Sequence, residues 1–445
     1  MLEKINNSKI TEEIYCLIIA IASVLGWYFN SHWGYMAIVP ITMIGVLLLN
    51  DFKYMAISIL GFIFANGNMF SSDVSNVAPM QMIISAGLIL IIALIYVIRN
   101  GIHLKKIKSG KALLLLAIMS PVPLIYHNVI QKQDSGLYFL YFNYLLYFLV
   151  YLLFLFILDK KSFRFIKLAM GYMALLLAME CILYVYNNGF TKGYNMGWGV
   201  CNEAGILMMF GVPFVFIDLI KAKKLEELFV PSAKIGIILF GMFASTSRGT
   251  YIFGFVLVLL LFVWTLIISK KRISILVLML MAISLVVLYI HLNFGIVEFY
   301  EKVKDTIFEI GLNSSGRFEL YKGATDIWAT NFLTVTFGNG WVAEYSFERF
   351  PHLNVYVVYH STFFQMLATL GVVGVILLLF HFYEKYKQVF KFELSICVCL
   401  FLGYLLVDIY GMIDNTYGMY YYMLPLVIVM ASLDNLDKKT DNKLI

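Results

Sequence analysis

The chain reads as an all-α polytopic integral membrane protein, with about fourteen membrane-spanning helices and one long structured extracytoplasmic loop. Three observations predict this class. Hydrophobic residues make up 61% of the 445 residues and charged residues only 13%, against roughly 25% charged in ordinary soluble domains. Mean hydropathy is +0.84. Apolar runs that reach or approach the roughly 20 residues needed to cross a bilayer as helix recur along the whole sequence. The cysteines Cys16, Cys181, Cys201, Cys397 and Cys399 fall in or beside these runs without metal-ligand spacing, so they read as small buried hydrophobes. The net charge of +6 does not imply a nucleic-acid partner, because the charge is sorted by loop.

In order, spans are expected at 14–30, 34–49, 54–70, 80–98, 112–130, 137–158, 165–186, 201–220, 235–247, 250–268, 273–293, 361–381, 393–412 and 417–433. The segment 235–247 is the shortest. Pro40, Pro121, Pro123, Pro213 and Pro425 fall within spans, where membrane helices tolerate a kink. The stretch Met1-Leu-Glu-Lys-Ile-Asn-Asn is polar and mixed in charge, unlike a cleavable signal peptide. The first helix is therefore expected to act as an uncleaved anchor.

Basic residues set the orientation. With the N-terminus cytoplasmic, the cytoplasmic segments hold 25 of the 33 Lys and Arg residues, with clusters at 99–111, 160–167, 221–234, 270–272 and 385–391. The others are Lys132, Lys192, Arg248 and five residues in 294–360. Both termini are then cytoplasmic. Residues 1–445 form a single membrane domain, and 294–360 is a long extracytoplasmic loop within it.

That loop has its own pattern. Val297, Tyr300, Val303, Ile307 and Ile310 recur every three or four residues with charges between them, which predicts an amphipathic helix on the membrane surface. A second helix is expected to start after Asn313-Ser-Ser-Gly and to run through Phe318, Tyr321 and Trp328, and Phe337-Gly-Asn-Gly-Trp341 reads as a turn. Long structured loops of this kind tend to be functional.

Three basic groups stand out against this background. Arg248 lies in Phe243-Ala-Ser-Thr-Ser-Arg-Gly-Thr250 between two apolar stretches, where a cation is costly and usually has a partner or a task. Arg317 follows Asn313-Ser-Ser-Gly, and His360 stands where the loop re-enters the membrane. Arginine presents a planar fork of donors and stays charged, so the set reads as an anion-binding active site on one face. A structural alternative pairs the loop arginine with Glu319 or Asp326. A neutral His360 can take a proton from a hydroxyl; the alternative is an interfacial histidine bonded to backbone. His32, His103, His127, His291 and His381 read as structural, and His352 lies close enough to His360 to be confused with it.

Glu203 opens the eighth span, as a helix cap or as a group that orients an arginine or a substrate. Asp408 reads as a buried partner for a basic group, and Asp414 and Asn415 face outward near the final turn. Most interfacial aromatics are anchors, whereas Trp328 and Trp341 stand in the loop. The sequence has no nucleotide-binding loop, zinc motif or acidic cluster for a divalent cation, so no metal or cofactor is expected.

In order, Gly197-Trp-Gly-Val-Cys-Asn-Glu-Ala-Gly205, Ser245-Thr-Ser-Arg-Gly249, Ser315-Gly-Arg317 with Trp328, Phe337-Gly-Asn-Gly-Trp341 and His360-Ser-Thr-Phe-Phe-Gln365 leading into Leu370-Gly-Val-Val-Gly374 resemble the O-antigen ligase and polysaccharide polymerase superfamily. The resemblance covers roughly 195–385. It implies an enzyme of the bacterial cytoplasmic (inner) membrane, acting on its outer face on glycans carried by undecaprenyl diphosphate. Polymerases of the family add the chain to the next lipid-linked repeat unit; ligases add it to a lipid A core.

By that resemblance the family's loop arginines and loop-end histidine carry over as Arg248, Arg317 and His360, the catalytic set; at the substrate, Arg248 and Arg317 are joined in this reading by Glu203 and by Trp328 and Trp341, which suit stacking on sugar rings. Many members have Asn after the histidine, where this chain has Ser361. The donor already carries its leaving group, which is consistent with a metal- and nucleotide-independent reaction. The reading is a polymerase for capsule, exopolysaccharide or O-antigen, with the bilayer, a chain-length regulator and a flippase as partners. A ligase competes with it. So does a lipid-linked oligosaccharide flippase, which would place its cations inside a membrane cavity and needs no long external loop.

Overall fold

A computed structural model describes residues 8–29, 32–65, 80–125, 141–189, 201–308, 317–341 and 359–436. Among the described residues all regular secondary structure is helical. Lys132, Lys192, His127, Trp198, Asn313–Gly316 and His352 lie outside them. The helices are α1 Lys9–Tyr28, α2 His32–Met43, α3 Tyr54–Ala65, α4 Met80–Asn100, α5 Lys111–Met119, α6 Val122–Ile125, α7 Asn143–Ile157, α8 Ser162–Asn188 and α9 Cys201–Lys221. They continue with α10 Glu226–Ala244, α11 Phe255–Ile268, α12 Arg272–Asn293, α13 Ile296–Phe308, α14 Arg317–Trp328, α15 Phe332–Phe337, α16 Thr362–Val389, α17 Leu394–Gly411 and α18 Tyr420–Asp434. Among the described residues nine helices are long and apolar enough to cross a membrane. Shorter apolar helices at Met36–Leu48, Tyr54–Ile63, Lys111–Ile125, Asn143–Ile157 and Tyr420–Asp434 fall on the remaining expected spans.

The spine of the bundle is α8, which packs against α1, α9, α10 and α18. It is buried along most of its length because small residues let its neighbours approach. A Cβ built on Gly211 of α9 would come 2.6 Å from Ala174 Cβ, and one on Gly241 of α10 would come 2.4 Å from Ala178.

Three expected boundaries need correction, each for a physical reason. The span expected at 235–247 is α10, Glu226–Ala244. Lys234, assigned to a loop, lies inside it. Its ammonium sits 3.8 Å from the centre of the Tyr172 ring and 3.4 Å from the Glu13 carboxylate, so the helix carries a neutralised cation. The span expected at 112–130 is broken: α5 stops at Met119 and α6 starts at Val122, because Pro121 lacks the N–H that would continue the ladder. The span expected at 361–381 runs to Val389. Lys385, also assigned to a loop, is wholly buried and donates to both Asp408 oxygens at 2.6 and 2.7 Å and to the Tyr417 hydroxyl at 2.6 Å. Asp408 is thus the buried partner of a basic group that its position suggested.

Basic residues collect at one end of the bundle. Glu12 meets Lys53 at 3.2 Å and Arg164 at 2.9 Å, Lys167 meets Asp218 at 2.5 Å, and Lys221 pairs with Glu393. These contacts join the ends of α1, α3, α8, α9 and α17. The other end of α9 begins with Cys201, Asn202 and Glu203, one helix length or ~30 Å away.

The loop segment docks onto α16 through a backbone break. Gly371 has φ +65 and ψ −157 inside α16, a conformation open only to glycine. The chain at Gly338-Asn339-Gly340, expected as a turn, fits against this break: Asn339 and Gly340 donate their N–H groups to the carbonyls of Ala368 and Thr369 at 2.7 and 3.0 Å. A Cβ on Gly371 would meet Gly338 N at 2.6 Å. The Trp341 N–H donates to the Tyr141 hydroxyl at 2.7 Å. Both α14 and α15 pack on α16, so the loop helices are held over its N-terminal end.

Candidate active site

Four separate chain segments meet at the end of the bundle where α9 begins. The first is the start of α14, where Arg317 is the first helical residue. The second is the approach to α16, where His360 has φ +46, a strained value for a residue with a Cβ. The third is the turn between α17 and α18, which carries Asp414. The fourth is the turn after α10, which carries Ser247 and Arg248.

Asp414 is the common partner. One of its oxygens lies 3.6 Å from the Arg317 guanidinium and the other 3.4 Å from His360 Nδ1. The carboxylate is nearly buried, whereas the His360 ring is 39% and the Arg317 side chain 28% exposed. It also accepts the Asn202 side-chain amide at 2.7 Å and the Asn415 backbone N–H at 2.8 Å. The Asp414 backbone carbonyl accepts the Thr362 N–H at 3.0 Å, and the Thr362 and Thr416 hydroxyls bond to each other at 3.0 Å. The turn is therefore tied to the first residues of α16.

His360 is held from a second side. Its carbonyl accepts the Tyr321 hydroxyl of α14 at 3.1 Å, and the Tyr321 ring stacks on Phe364 with centroids 4.4 Å apart. Burial pushes the Tyr321 hydroxyl pKa up; Arg317 pulls it down and Asp414 adds to the rise. Ser361 caps α16 by accepting the Phe364 N–H at 3.4 Å. With Nδ1 turned to Asp414, Nε2 is the nitrogen left to face a hydroxyl group.

Arg248 is half-buried just after the tight turn that ends α10, where Thr246 has φ +54, and it opens the helical run that continues into α11. Among the described residues none forms an ion pair or hydrogen bond with its guanidinium. Its neighbour Ser247 bonds to Asn202 at 2.7 Å, and Asn202 bonds to Asp414. Arg317 and His360 thus meet at one carboxylate that the sequence did not single out as functional, and Arg248 is tied to it only through its neighbour Ser247 and Asn202. Arg317 pairs with Asp414 rather than with Glu319 or Asp326.

The other expected site residues stand at the margin. Glu203 lies in the first turn of α9, beside Tyr420 and Tyr421. Trp328 donates its indole N–H to the Val335 carbonyl at 2.9 Å and so holds the corner between α14 and α15. Trp341 is half-buried, with its ring near Gly418 in the Asp414 turn. The amphipathic helix expected from Val297 to Ile310 is α13, Ile296–Phe308, with Ile296, Val297 and Tyr300 exposed.

Asn202 and Asp414 are what sequence reasoning missed as site residues. Asn202 sits in the quoted Gly197–Gly205 stretch, which gave a faint signal. Asp414 looked like one more polar residue at the end of a span.

Fold and site together define a multi-pass all-helical membrane protein with an arginine, histidine and carboxylate cluster at one end of its bundle. Residues 234–379 match the O-antigen ligase family, which supports the O-antigen ligase and polysaccharide polymerase superfamily for this chain. Arg248, Arg317 and His360 fall inside the matched segment, and Asn202 and Asp414 fall outside it. A search of curated proteins found no match. The family implies a lipid-linked glycan substrate and a membrane setting.

Proposed function

We propose that the protein is a membrane glycosyltransferase that polymerises undecaprenyl-diphosphate-linked repeat units on the outer face of the cytoplasmic membrane. In this reading the chain is one domain that crosses the bilayer fourteen times, with both termini cytoplasmic. The observation that carries the reading is Asp414, 3.6 Å from Arg317 and 3.4 Å from His360. It gives the histidine an anionic neighbour and joins it to one of the two arginines.

The chemistry follows. The acceptor hydroxyl attacks the anomeric carbon of the donor sugar, the bond from that carbon to the diphosphate oxygen breaks, and the diphosphate leaves with the added charge. Arg248 and Arg317 stabilise that charge, which is often the largest catalytic contribution. His360 takes the hydroxyl proton on Nε2, and the resulting imidazolium is stabilised by Asp414. Glu203 and Trp341 border the acceptor sugars, and the exposed part of Trp328 extends that surface. The donor brings its own leaving group, so the reaction needs no nucleotide or metal.

A ligase is the second reading, favoured by the description of the matched family. Purified protein given lipid-linked repeat units alone separates the two. A ladder of products supports the polymerase. Product formed only when a lipid A core is added supports the ligase, and no transfer under either condition refutes both.

A further inference from the structure

The hydrogen bonds behind Asp414 form a chain with a fixed direction. The Ser247 hydroxyl lies 2.7 Å from Asn202 Oδ1 and 2.7 Å from the Tyr410 hydroxyl, and Asn202 Nδ2 lies 2.7 Å from Asp414 Oδ2. A carboxylate accepts only, so the asparagine must turn its NH2 toward Asp414. That leaves its carbonyl oxygen for Ser247, which must donate. Tyr410 must then donate to Ser247. The proton in each of these three bonds is thereby assigned, and each of the three donors points toward the carboxylate.

The chain is also rigidly mounted. Tyr410 and Ser247 are each 1% exposed. The Tyr410 ring stacks on Phe253 with centroids 5.6 Å apart, and a Cβ on Gly249 would come 2.3 Å from it. Ser247 also accepts the Thr250 N–H at 3.3 Å. The relay thus runs from α17 through the Arg248 turn and the first turn of α9 to the turn holding Asp414.

We infer that Asn202 is a positioning residue: oriented by Ser247 and Tyr410, its amide fixes the Asp414 carboxylate between Arg317 and His360 and ties the Arg248 turn to it. The inference rests on the glycan-transfer reading. Asn202 touches no substrate; it acts through Asp414. Its distinguishing property is donation, and this separates it from a residue that merely fills space. Asn202→Asp keeps the size and the acceptor for Ser247 but replaces the N–H donor with an oxygen facing Asp414. If Asn202 were only packing, Asp would be milder than Ala.

The test measures kcat and KM for lipid-linked repeat units with purified Asn202→Ala, Asn202→Asp, Ser247→Ala and Tyr410→Phe proteins, together with their thermal unfolding. The relay predicts kcat about 10-fold lower for Asn202→Ala and about 100-fold lower for Asn202→Asp, the range expected when a hydrogen bond to a charged group is lost or reversed. KM should stay within about 2-fold, as for an interaction that acts on turnover. The Ser247→Ala/Asn202→Ala double variant should match Asn202→Ala alone, because both act in one chain. An Asn202→Asp protein more active than Asn202→Ala overturns the inference, as does a loss confined to KM. Should the Asn202 variants fail to fold, Tyr410→Phe decides, since it removes one oxygen: kcat several-fold lower supports the relay and unchanged kcat overturns it. A wild-type protein without transfer activity refutes the relay and the functional reading together; a working wild type with a mild Asn202→Asp refutes the relay alone.

Discussion

Replacing Asp414 by asparagine removes one charge while keeping the side chain's size. The structure sets the scale of the effect. Asp414 faces two basic groups, Arg317 at 3.6 Å and His360 at 3.4 Å. Hydrogen bonds to charged groups contribute roughly 1.5–3 kcal/mol each. The His360 contact is long for a hydrogen bond, so the lower end applies, about 1.5 kcal/mol, and the Arg317 contact, an ion pair beyond hydrogen-bond range, adds about 1 kcal/mol; together they amount to about 2.5 kcal/mol, or about 10²-fold in rate. Asparagine can also turn its NH2 toward Arg317, which would leave that arginine facing a like donor. The assay is incorporation of fluorescent lipid-linked repeat units into polymer by purified protein, with thermal unfolding as a control on folding. A well-folded Asp414→Asn protein should be about 10²-fold slower. One that works at half the wild-type rate or better would refute the argument that Asp414 organises the site.

Other expectations follow from the same geometry. Arg248→Ala and Arg317→Ala should each lower polymer formation by about 10² or more, and Arg→Lys should rescue only in part, because lysine lacks the planar fork; wild-type polymer from normally expressed alanine variants would remove the diphosphate clamp. Lys385→Met should destabilise the detergent-held protein by roughly 3–5 kcal/mol by leaving Asp408 buried and unpaired, and adding Asp408→Leu should recover much of that loss, as read from thermal midpoints; equal stability of the single and double variants would contradict the buried-pair account. Lys322→Cys, on an exposed face of α14, should react with a membrane-impermeant maleimide on intact cells or spheroplasts, and labelling only after lysis would reverse the orientation.

Much of the fold was legible because lipid imposes a simple rule: long apolar runs become helices. The rule failed where a charge is neutralised inside the protein. Lys234 and Lys385 looked like loop residues, since sequence alone does not reveal that Glu13 and Asp408 wait beside them. The candidate site was legible in its cations, because an arginine between two apolar stretches and a histidine at an expected membrane re-entry are unusual positions. Its carboxylate was not. An aspartate at the end of a span is common, and Asp414 comes beside His360, 54 residues away in sequence, only when the chain folds. The break in α16 at Gly371 was not anticipated, since 361–381 read as one unbroken span, and the fit of Gly338 against it is a tertiary fact.

The most direct test of the central claim is a structure of the protein in a lipid nanodisc with undecaprenyl diphosphate bound. The account predicts diphosphate oxygens within hydrogen-bonding reach, about 2.7–3.2 Å, of the guanidinium groups of both Arg248 and Arg317, with His360 Nε2 facing the side from which an acceptor hydroxyl would approach. A diphosphate bound elsewhere, with Arg248 and Arg317 making no contact to it, would contradict it.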